Sequence, residues 1–264
     1  MLNINNVYKT FNTNTINEKK VLKGLNLHMK PGDFVTVIGG NGAGKSTMLN
    51  MVAGVHVPDL GSIQLDGINI TKLPEHERAK YLGRVFQDPM LGTASDMEIQ
   101  ENLALAYRRG KKRGFGWGIT KEEKELYANL LKPLDLGLEA RLSSKVGLLS
   151  GGQRQALTLL MATLKKPKLL LLDEHTAALD PKTAKRVLEL TEQIVKEHEL
   201  TTLMVTHNMK NAIEYGNRLI MMYDGKVMFD IEGKEKKNLK VKDLLAKFEI
   251  ASGEEFANDK MILS

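Results

Sequence analysis

The feature that most constrains the fold of this chain is a glycine-rich turn between an apolar segment and a helical pattern. The segment Phe34–Ile38 is mostly β-branched and aromatic, which predicts a strand covered on both faces. The turn Gly39–Ser46 follows at once, and helical spacing then continues to Ala53, just before Gly54. A buried strand, a tight turn and a helix in this order predict a parallel sheet with helices packed on it.

Three later segments extend this architecture. Leu169–Leu172 and Thr202–Val205 are apolar runs of strand length, and Pro181–Val195 between them has the apolar spacing of a helix. Asp180 precedes Pro181, and the two residues supply an N-cap and a first-turn proline for that helix. Strands that alternate with helices in this way predict an α/β fold with a mainly parallel sheet.

Antiparallel strands are predicted near both ends of the chain. The alternating patterns of Leu2–Thr10 and Leu25–Met29 predict two N-terminal strands. Towards the other end, Arg218–Tyr223 and Lys226–Asp230 flank Asp224-Gly225, a pair that tolerates the positive φ angles of a type I′ turn. We therefore expect a hairpin there.

The middle of the chain has a different pattern. Residues Glu98–Lys132 have helical spacing, and Thr120–Glu123 is a capping-box sequence that heads a helix over Lys121–Leu131. We expect one domain over residues 1–250, which contains a helical subdomain at about residues 88–165, and a polar tail at residues 251–264.

Composition narrows the class of protein. The 264 residues include 38 Lys and Arg against 32 Asp and Glu, a formal charge of +6, and no cysteine. The lack of cysteine excludes disulfide frameworks, thiolate metal sites and cysteine nucleophiles. No apolar run reaches the roughly eighteen residues that a membrane-spanning helix needs, so the default expectation is a cytoplasmic protein.

The glycine-rich turn also predicts a chemistry. It matches the pattern G-x-x-x-x-G-K-S in the strand–turn–helix context that this pattern requires. Glycines let successive backbone N–H groups point into one concavity, and the start of the helix adds partial positive charge, so the turn suits a polyphosphate. Lys45 adds a full positive charge, and the hydroxyl of Ser46 is a suitable ligand for Mg²⁺. This phosphate loop consists of Gly39, Gly40, Asn41, Gly42, Ala43, Gly44, Lys45 and Ser46.

Acidic side chains follow the predicted strand Leu169–Leu172. In open parallel sheets ligands bind beyond the carboxyl ends of the strands, so Asp173 and Glu174 are expected near the metal and the terminal phosphate. Asp173 suits support of Mg²⁺, and Glu174 suits orientation of the attacking water. His207 closes the next strand in the same way and could hydrogen-bond the terminal phosphate.

The segment Leu149–Gln153 adds the decisive pattern. It reads Leu-Ser-Gly-Gly-Gln, and with it the chain resembles the nucleotide-binding subunit of ABC transporters over nearly its whole length. Ser150 and Gln153 also fit a capping box, so helix capping is an alternative explanation that is compatible with the first. The resemblance implies that this signature segment, with Ser150, Gly151, Gly152 and Gln153, grips the terminal phosphate of ATP bound to a second copy in a head-to-tail dimer.

The resemblance implies roles for further residues. Gln87 matches the glutamine that senses Mg²⁺, His207 the switch histidine, and Asp180 the aspartate at the subunit junction. Phe11 lies where the family usually has an aromatic residue that stacks on adenine, with Tyr8 as the competing choice. The resemblance places ATP on Phe11, the phosphate loop and Thr47, and Mg²⁺ on Ser46, Gln87 and Asp173, with Glu174, His207 and Gln87 as the catalytic set.

One residue departs from the family pattern. The family commonly follows its catalytic glutamate with proline, whereas His175 follows Glu174 here. A histidine near the terminal phosphate could alter the pH dependence of hydrolysis, because small shifts carry its pKa across neutrality. The alternative interpretation, which we favour, is a tolerated loop substitution.

Transport requires partners. The resemblance implies two transmembrane permease subunits, an extracellular solute-binding protein and a place on the cytoplasmic face of the cell membrane. The segment Asp88–Tyr107 resembles ATPases of importers that use a binding lipoprotein for small solutes, some of which are aromatic amino acids. A soluble ABC ATPase that serves as an assembly scaffold, as in iron–sulfur cluster biogenesis, is the alternative function.

A basic run is the most unusual local feature. Five cations lie within Arg108–Gly114, beside Phe115 and Trp117. The run could face anionic lipid headgroups, or it could be a solvated loop. No aromatic stacking platform accompanies it, so no nucleic-acid partner is expected.

Overall fold

The computed structural model describes residues 1–110 and 118–252. Its contacts divide the chain into two units, of which the first contains Met1–Arg78 and the segment from Leu200 onward, and the second contains Ala79–Glu199. No helix within the described residues is long and apolar enough to cross a membrane.

The strands are β1 Leu2–Phe11, β2 Lys19–Met29, β3 Phe34–Ile38, β4 Leu60–Leu65, β5 Ile68–Asn69, β6 Leu82–Val85, β7 Leu169–Asp173, β8 Thr202–Val205, β9 Arg218–Tyr223 and β10 Lys226–Glu232. The α-helices are α1 Lys45–Ala53, α2 Glu75–Arg78, α3 Ile99–Tyr107, α4 Lys121–Leu131, α5 Gly151–Thr163, α6 Pro181–Glu197, α7 Met209–Glu214, α8 Gly233–Asn238 and α9 Val241–Ser252.

The first unit contains an antiparallel sheet and a mainly parallel set of strands. The N-terminal strands form the antiparallel order β2-β1-β4-β5. Strand β3 pairs in parallel with both β8 and β9, and β10 pairs antiparallel with β9. All five side chains of β3 are buried, as its continuous apolar character predicts. Its one polar side chain, Thr36, donates a hydrogen bond to the carbonyl of Ala212 at 2.8 Å, so burial leaves its hydroxyl satisfied.

The hairpin β9–β10 has the predicted turn. Asp224 and Gly225 both have positive φ angles, 44° and 75°, as a type I′ turn requires. Two strands extend beyond their predicted limits by more than one residue: β2 begins at Lys19 rather than Leu25, and β10 ends at Glu232 rather than Asp230. In each case the added residues pair with a neighbouring strand, β1 or β9.

The second unit combines a parallel strand pair with helices. Strands β6 and β7 pair in parallel, from Leu82 opposite Leu169 to Val85 opposite Leu172. Helices α3, α4 and α5 bury apolar side chains in one cluster, which includes Leu103, Tyr127 and Leu157, each fully buried. Helix α4 has the predicted bounds, and its capping box between Thr120 and Glu123 is present. Helix α5 begins at Gly151, directly after Ser150, where the predicted capping box places its start.

Candidate functional site

The phosphate loop joins β3 to α1 in the first unit. Gly39 has a φ angle of 155°, and a Cβ atom there would lie 2.3 Å from the carbonyl oxygen of Met222, so only glycine fits. Gly44 is the N-cap of α1, with a φ angle of 98° and no side-chain hydrogen bond to the helix start. Gly44 therefore supplies no side-chain acceptor to the first N–H groups of α1, which have the partial positive charge of a helix start.

Lys45 lies within the phosphate loop itself. Its side chain is buried, and its ammonium group donates hydrogen bonds to the carbonyl oxygens of Gly39 at 2.7 Å and Gly40 at 3.1 Å. Ser46 beside it is exposed, and its hydroxyl stands in the first turn of α1. The loop thus combines a full positive charge, the backbone N–H groups of a helix start and a hydroxyl, which are the groups that a magnesium-bound polyphosphate needs.

Strand β8 brings His207 to the same edge of the sheet. Val37 and Val205 are partners in the parallel pair β3–β8, and the N–H of Thr206 donates to the carbonyl of Val37 at 3.0 Å. His207 therefore follows β8 at the level where the phosphate loop follows β3, as predicted.

The geometry of β1 favours Phe11 over Tyr8 as the aromatic residue near the loop. Phe11 is partly exposed and is the register partner of Lys19, whose ammonium lies 3.8 Å from the position that a Cβ atom would take on Gly42. Its ring meets that of His56 edge to face, with 5.1 Å between centroids. Tyr8, by contrast, covers Gly24, where an added Cβ atom would lie 2.9 Å from the phenol oxygen.

In the second unit, Asp173 and Gln87 lie at one end of the strand pair. Val85 and Leu172 are register partners, so the residues that follow β6 and end β7 share an edge. The guanidinium of Arg84 lies 3.8 Å from the carboxylate of Asp173 and stacks on the ring of Phe86 at 4.5 Å. The side chain of Gln87 is exposed.

Glu174 has an uncommon backbone conformation. Its φ angle is 45°, in the left-handed region that non-glycine residues seldom adopt outside turns and functional sites. Its carbonyl accepts a hydrogen bond from the N–H of Ala177 at 2.9 Å, which closes the turn. His175, next along the chain, is almost fully buried, and burial lowers the pKa of its imidazole to about 4. The ring is therefore neutral near pH 7, which argues against the predicted effect of His175 on the pH dependence of hydrolysis.

The signature segment begins α5 with a complete capping box. The N–H of Gln153 donates to the hydroxyl of Ser150 at 3.3 Å, and the N–H of Ser150 donates to the amide oxygen of Gln153 at 3.1 Å. A Cβ atom on Gly152 would lie 2.2 Å from the methyl carbon of Thr183, so this glycine permits the close approach of α5 and α6. Ser150 and Gly151 are exposed.

Asp180 caps α6 as predicted. Its carboxylate accepts a hydrogen bond from the N–H of Thr183 at 3.1 Å, and hydrogen bonding to Thr183 lowers the pKa of the carboxyl group. The same side chain remains exposed to solvent.

Comparison with known proteins decides the family. The family model described as ABC transporter matches residues 22–177, more than half of the chain. The chain belongs to this family. As an ABC ATPase it binds and hydrolyses ATP, which confirms the predicted enzyme class and the predicted P-loop α/β fold.

Individual relatives agree with this assignment. The tyrosine transport ATP-binding protein of Clostridioides difficile is 47% identical over 251 residues, which are 95% of this chain and 100% of that protein. The phosphonates import ATP-binding protein of Alcaligenes faecalis is 35% identical over 87% of this chain and 82% of its own length.

Two solved structures show the same cassette fold. A dimeric ATP-binding cassette in a post-hydrolysis state with ADP and Pi is 31% identical, with a TM-score of 0.75 over 88% of this chain and 98% of that one. The ADP conformation of a second ABC transporter cassette is 27% identical, with a TM-score of 0.76 over 96% of this chain and 99% of that one.

Sequence reasoning missed three residues that lie beside the predicted site residues or beside His175. Lys19 lies close to Gly42, Arg84 is paired with Asp173, and Thr191 is bonded to His175. None of the three belongs to a motif, and each lies on a different element from its partner. The periodicity of a single sequence does not report such distances.

The two arginines of the basic run that the structure describes contact other residues of the chain. Arg108 pairs with the carboxylate of Glu123 at 2.8 Å, and Arg109 donates to the carbonyls of Ala162 and Lys165 at 3.2 and 3.3 Å. Burial lowers the pKa of Arg109. The rest of the run, with Phe115 and Trp117, lies outside the described residues, so the lipid-facing interpretation stays a prediction for residues 111–117.

Proposed function

We propose that this chain powers the import of a small solute, with an aromatic amino acid such as tyrosine as the leading candidate. The observation that carries the proposal is the full-length match to a tyrosine transport ATP-binding protein, at 47% identity. The name of the phosphonate relative also specifies import.

The proposed binding of ATP uses the phosphate loop. Backbone N–H groups, Lys45 and Thr47 bind the phosphates, and Phe11 stacks on adenine. The oxygen ligands of Ser46, Gln87 and Asp173 match the preference of Mg²⁺, which would neutralise charge on the terminal phosphates. Asp173 is only partly buried, so its carboxylate can be reached.

The proposed hydrolysis step depends on Glu174 and His207. Phosphoryl transfer is mainly a matter of positioning, so Glu174 orients the attacking water and His207 hydrogen-bonds the terminal phosphate. A second copy of the chain would complete each site head to tail, with Ser150, Gly151, Gly152, Gln153 and Asp180 facing the ATP of its partner. The dimeric cassette with ADP and Pi supports this arrangement.

The proposed partners follow from the transport role. Two transmembrane permease subunits would hold the dimer at the cytoplasmic face of the cell membrane, and an extracellular solute-binding protein would deliver the solute. We propose that residues 1–250 act as one ATPase domain and that residues 251–264 are a tail. No nucleic acid takes part in this proposal.

Replacement of Glu174 by glutamine tests the catalytic assignment. Glu174→Gln keeps the shape of the side chain but lowers its basicity, so we expect ATP hydrolysis to fall roughly 100-fold while an ATP-bound dimer accumulates. Phosphate release and size-exclusion chromatography with MgATP would measure the two effects. Undiminished phosphate release would assign the orientation of water to another residue.

Uptake in proteoliposomes tests the solute. The chain and the permease subunits that co-purify with it would be reconstituted with the solute-binding protein, and ATP-dependent entry of labelled tyrosine would be measured against labelled methionine and phosphonate. Tyrosine uptake that Glu174→Gln abolishes would support the proposal. Uptake of another solute would correct it, and co-purification of soluble assembly proteins alone would favour the scaffold alternative.

A further inference from the structure

His175 is a buried polar residue beside the proposed catalytic glutamate. Its side chain is only 2% exposed, although it follows Glu174 directly at the end of β7. A buried imidazole is stable only when its polar atoms find partners, because desolvation otherwise penalises them. The partner of its Nε2 atom is the hydroxyl oxygen of Thr191, at 3.1 Å, on the third turn of α6.

The hydroxyl of Thr191 fixes the direction of this hydrogen bond. Thr191 is itself buried, and its hydroxyl donates to the carbonyl of Val187, one helical turn earlier, at 2.7 Å. A hydroxyl has one proton to donate, so its oxygen must accept from His175. His175 is therefore in the tautomer with hydrogen on Nε2.

The backbone of Glu174 needs such support. A left-handed conformation at a non-glycine residue is strained and persists only where neighbouring structure holds it. The turn is closed on one side by the bond from Ala177 to the carbonyl of Glu174. The bond from His175 to Thr191 fastens the other side to α6, the helix that Asp180 caps. One hydrogen bond thus connects the end of β7 with the helix that follows the turn.

We propose that His175 is a positioning residue for hydrolysis, which holds Glu174 in its left-handed conformation through the hydrogen bond to Thr191. The inference rests on the proposed role of Glu174 as the residue that orients water. A proline restricts the turn of other family members by its ring, whereas this chain restricts it by a buried hydrogen bond. The carboxylate of Glu174 then points in a direction that α6 determines.

Three variants and one control test the positioning role. His175→Phe fills the buried space without a donor, and Thr191→Val removes the acceptor while it keeps the side-chain shape. Thr163→Val is the matched control, since Thr163 is also buried in a helix and donates to the carbonyl of Leu159, four residues earlier, at 2.9 Å, but does not contact His175. Thr191→Ser restores the hydroxyl and should rescue the reaction.

The measurements are steady-state ATP hydrolysis, the Kd for MgATP and the melting temperature of each variant. We expect His175→Phe and Thr191→Val each to lower kcat roughly tenfold, with Kd and KM for MgATP changed less than about twofold. A double variant that combines His175→Phe and Thr191→Val should be no slower than either single variant, because both substitutions remove the same hydrogen bond. Thr163→Val should lose a similar amount of stability and keep its kcat.

The outcomes separate the two levels of the proposal. If Glu174→Gln retains turnover, the role of Glu174 is wrong. If Glu174→Gln stops turnover while Thr191→Val keeps its kcat, Glu174 is catalytic and the positioning role of His175 is wrong. Equal losses of kcat in Thr191→Val and Thr163→Val would also overturn the inference, since a general loss of stability would then explain both.

Discussion

Helices α1 and α5 both begin at glycine-rich segments, and they begin differently. The start of α1 has Gly44 as its N-cap and no side-chain hydrogen bond, whereas the start of α5 has a reciprocal capping box between Ser150 and Gln153. The N-cap residue of α1 thus supplies no side-chain acceptor to the helix start, whereas the N-cap residue of α5 does. In the first unit Lys45 donates to loop carbonyls, while in the second unit no lysine lies in the signature segment.

The two helices therefore differ in what is proposed to bind their first N–H groups. At α1 the proposed partner is the phosphate of a ligand, whereas at α5 the hydroxyl of Ser150 is already bound. The N–H groups at the start of α1 and the ammonium of Lys45 favour the arrival of phosphate at α1. The capped start of α5 needs no ligand to fold, so it can offer its exposed surface, including Gly151, to a partner molecule without rearrangement.

Removal of the lysine charge from the phosphate loop should have the largest effect. We expect Lys45→Ala to weaken MgATP binding by about 2.5 kcal/mol, or roughly 70-fold in Kd, because charge-assisted hydrogen bonds to phosphate are lost. Isothermal titration calorimetry would measure the Kd for MgATP. The control is Lys20→Ala, which replaces an exposed lysine of β2. Equal Kd values for Lys45→Ala and wild type would show that Lys45 and the start of α1 do not bind the phosphates of ATP.

An added methyl group should disturb the preformed start of α5. The Cβ atom of Gly152→Ala would lie 2.2 Å from the methyl carbon of Thr183, so we expect a loss of about 2 kcal/mol in the free energy of unfolding. Urea unfolding measures this loss. Thr183→Ser deletes that methyl group, keeps the N–H that bonds to Asp180, and should recover most of the stability in the double variant. A double variant as unstable as Gly152→Ala would show that Thr183 is not the source of the close approach.

Loss of the N-cap alone should have the smallest effect. Ser150→Ala and Thr120→Ala each break one capping box, at the starts of α5 and α4, so each should cost about 1 kcal/mol in unfolding free energy. Only Ser150→Ala should also slow ATP hydrolysis, because only the signature segment is proposed to contact ATP. Parallel urea unfolding and phosphate-release assays would compare the two. Equal rates of ATP hydrolysis in the two variants would show that Ser150 acts only as a helix cap.

Local patterns predicted the parts of the fold that local physics controls. Helix α4 and strands β3 and β8 have the predicted bounds, and the caps at Thr120, Ser150 and Asp180 are present. Each depends on residues within a few positions of one another. Strand β6 was not predicted, because Leu82–Val85 contains a glycine and an arginine and forms a strand only through its pairing with β7.

The sequence by itself determined the phosphate loop, the helix caps and the α/β pattern, because each is encoded in spacing and side-chain chemistry over a few residues. Tertiary structure alone decided that His175 is buried against Thr191, that Arg84 approaches Asp173, and that the approach of Thr183 requires glycine at position 152. The physical reason is distance along the chain. Burial, pKa and close contact depend on atoms from separate elements, and only folding brings those atoms together.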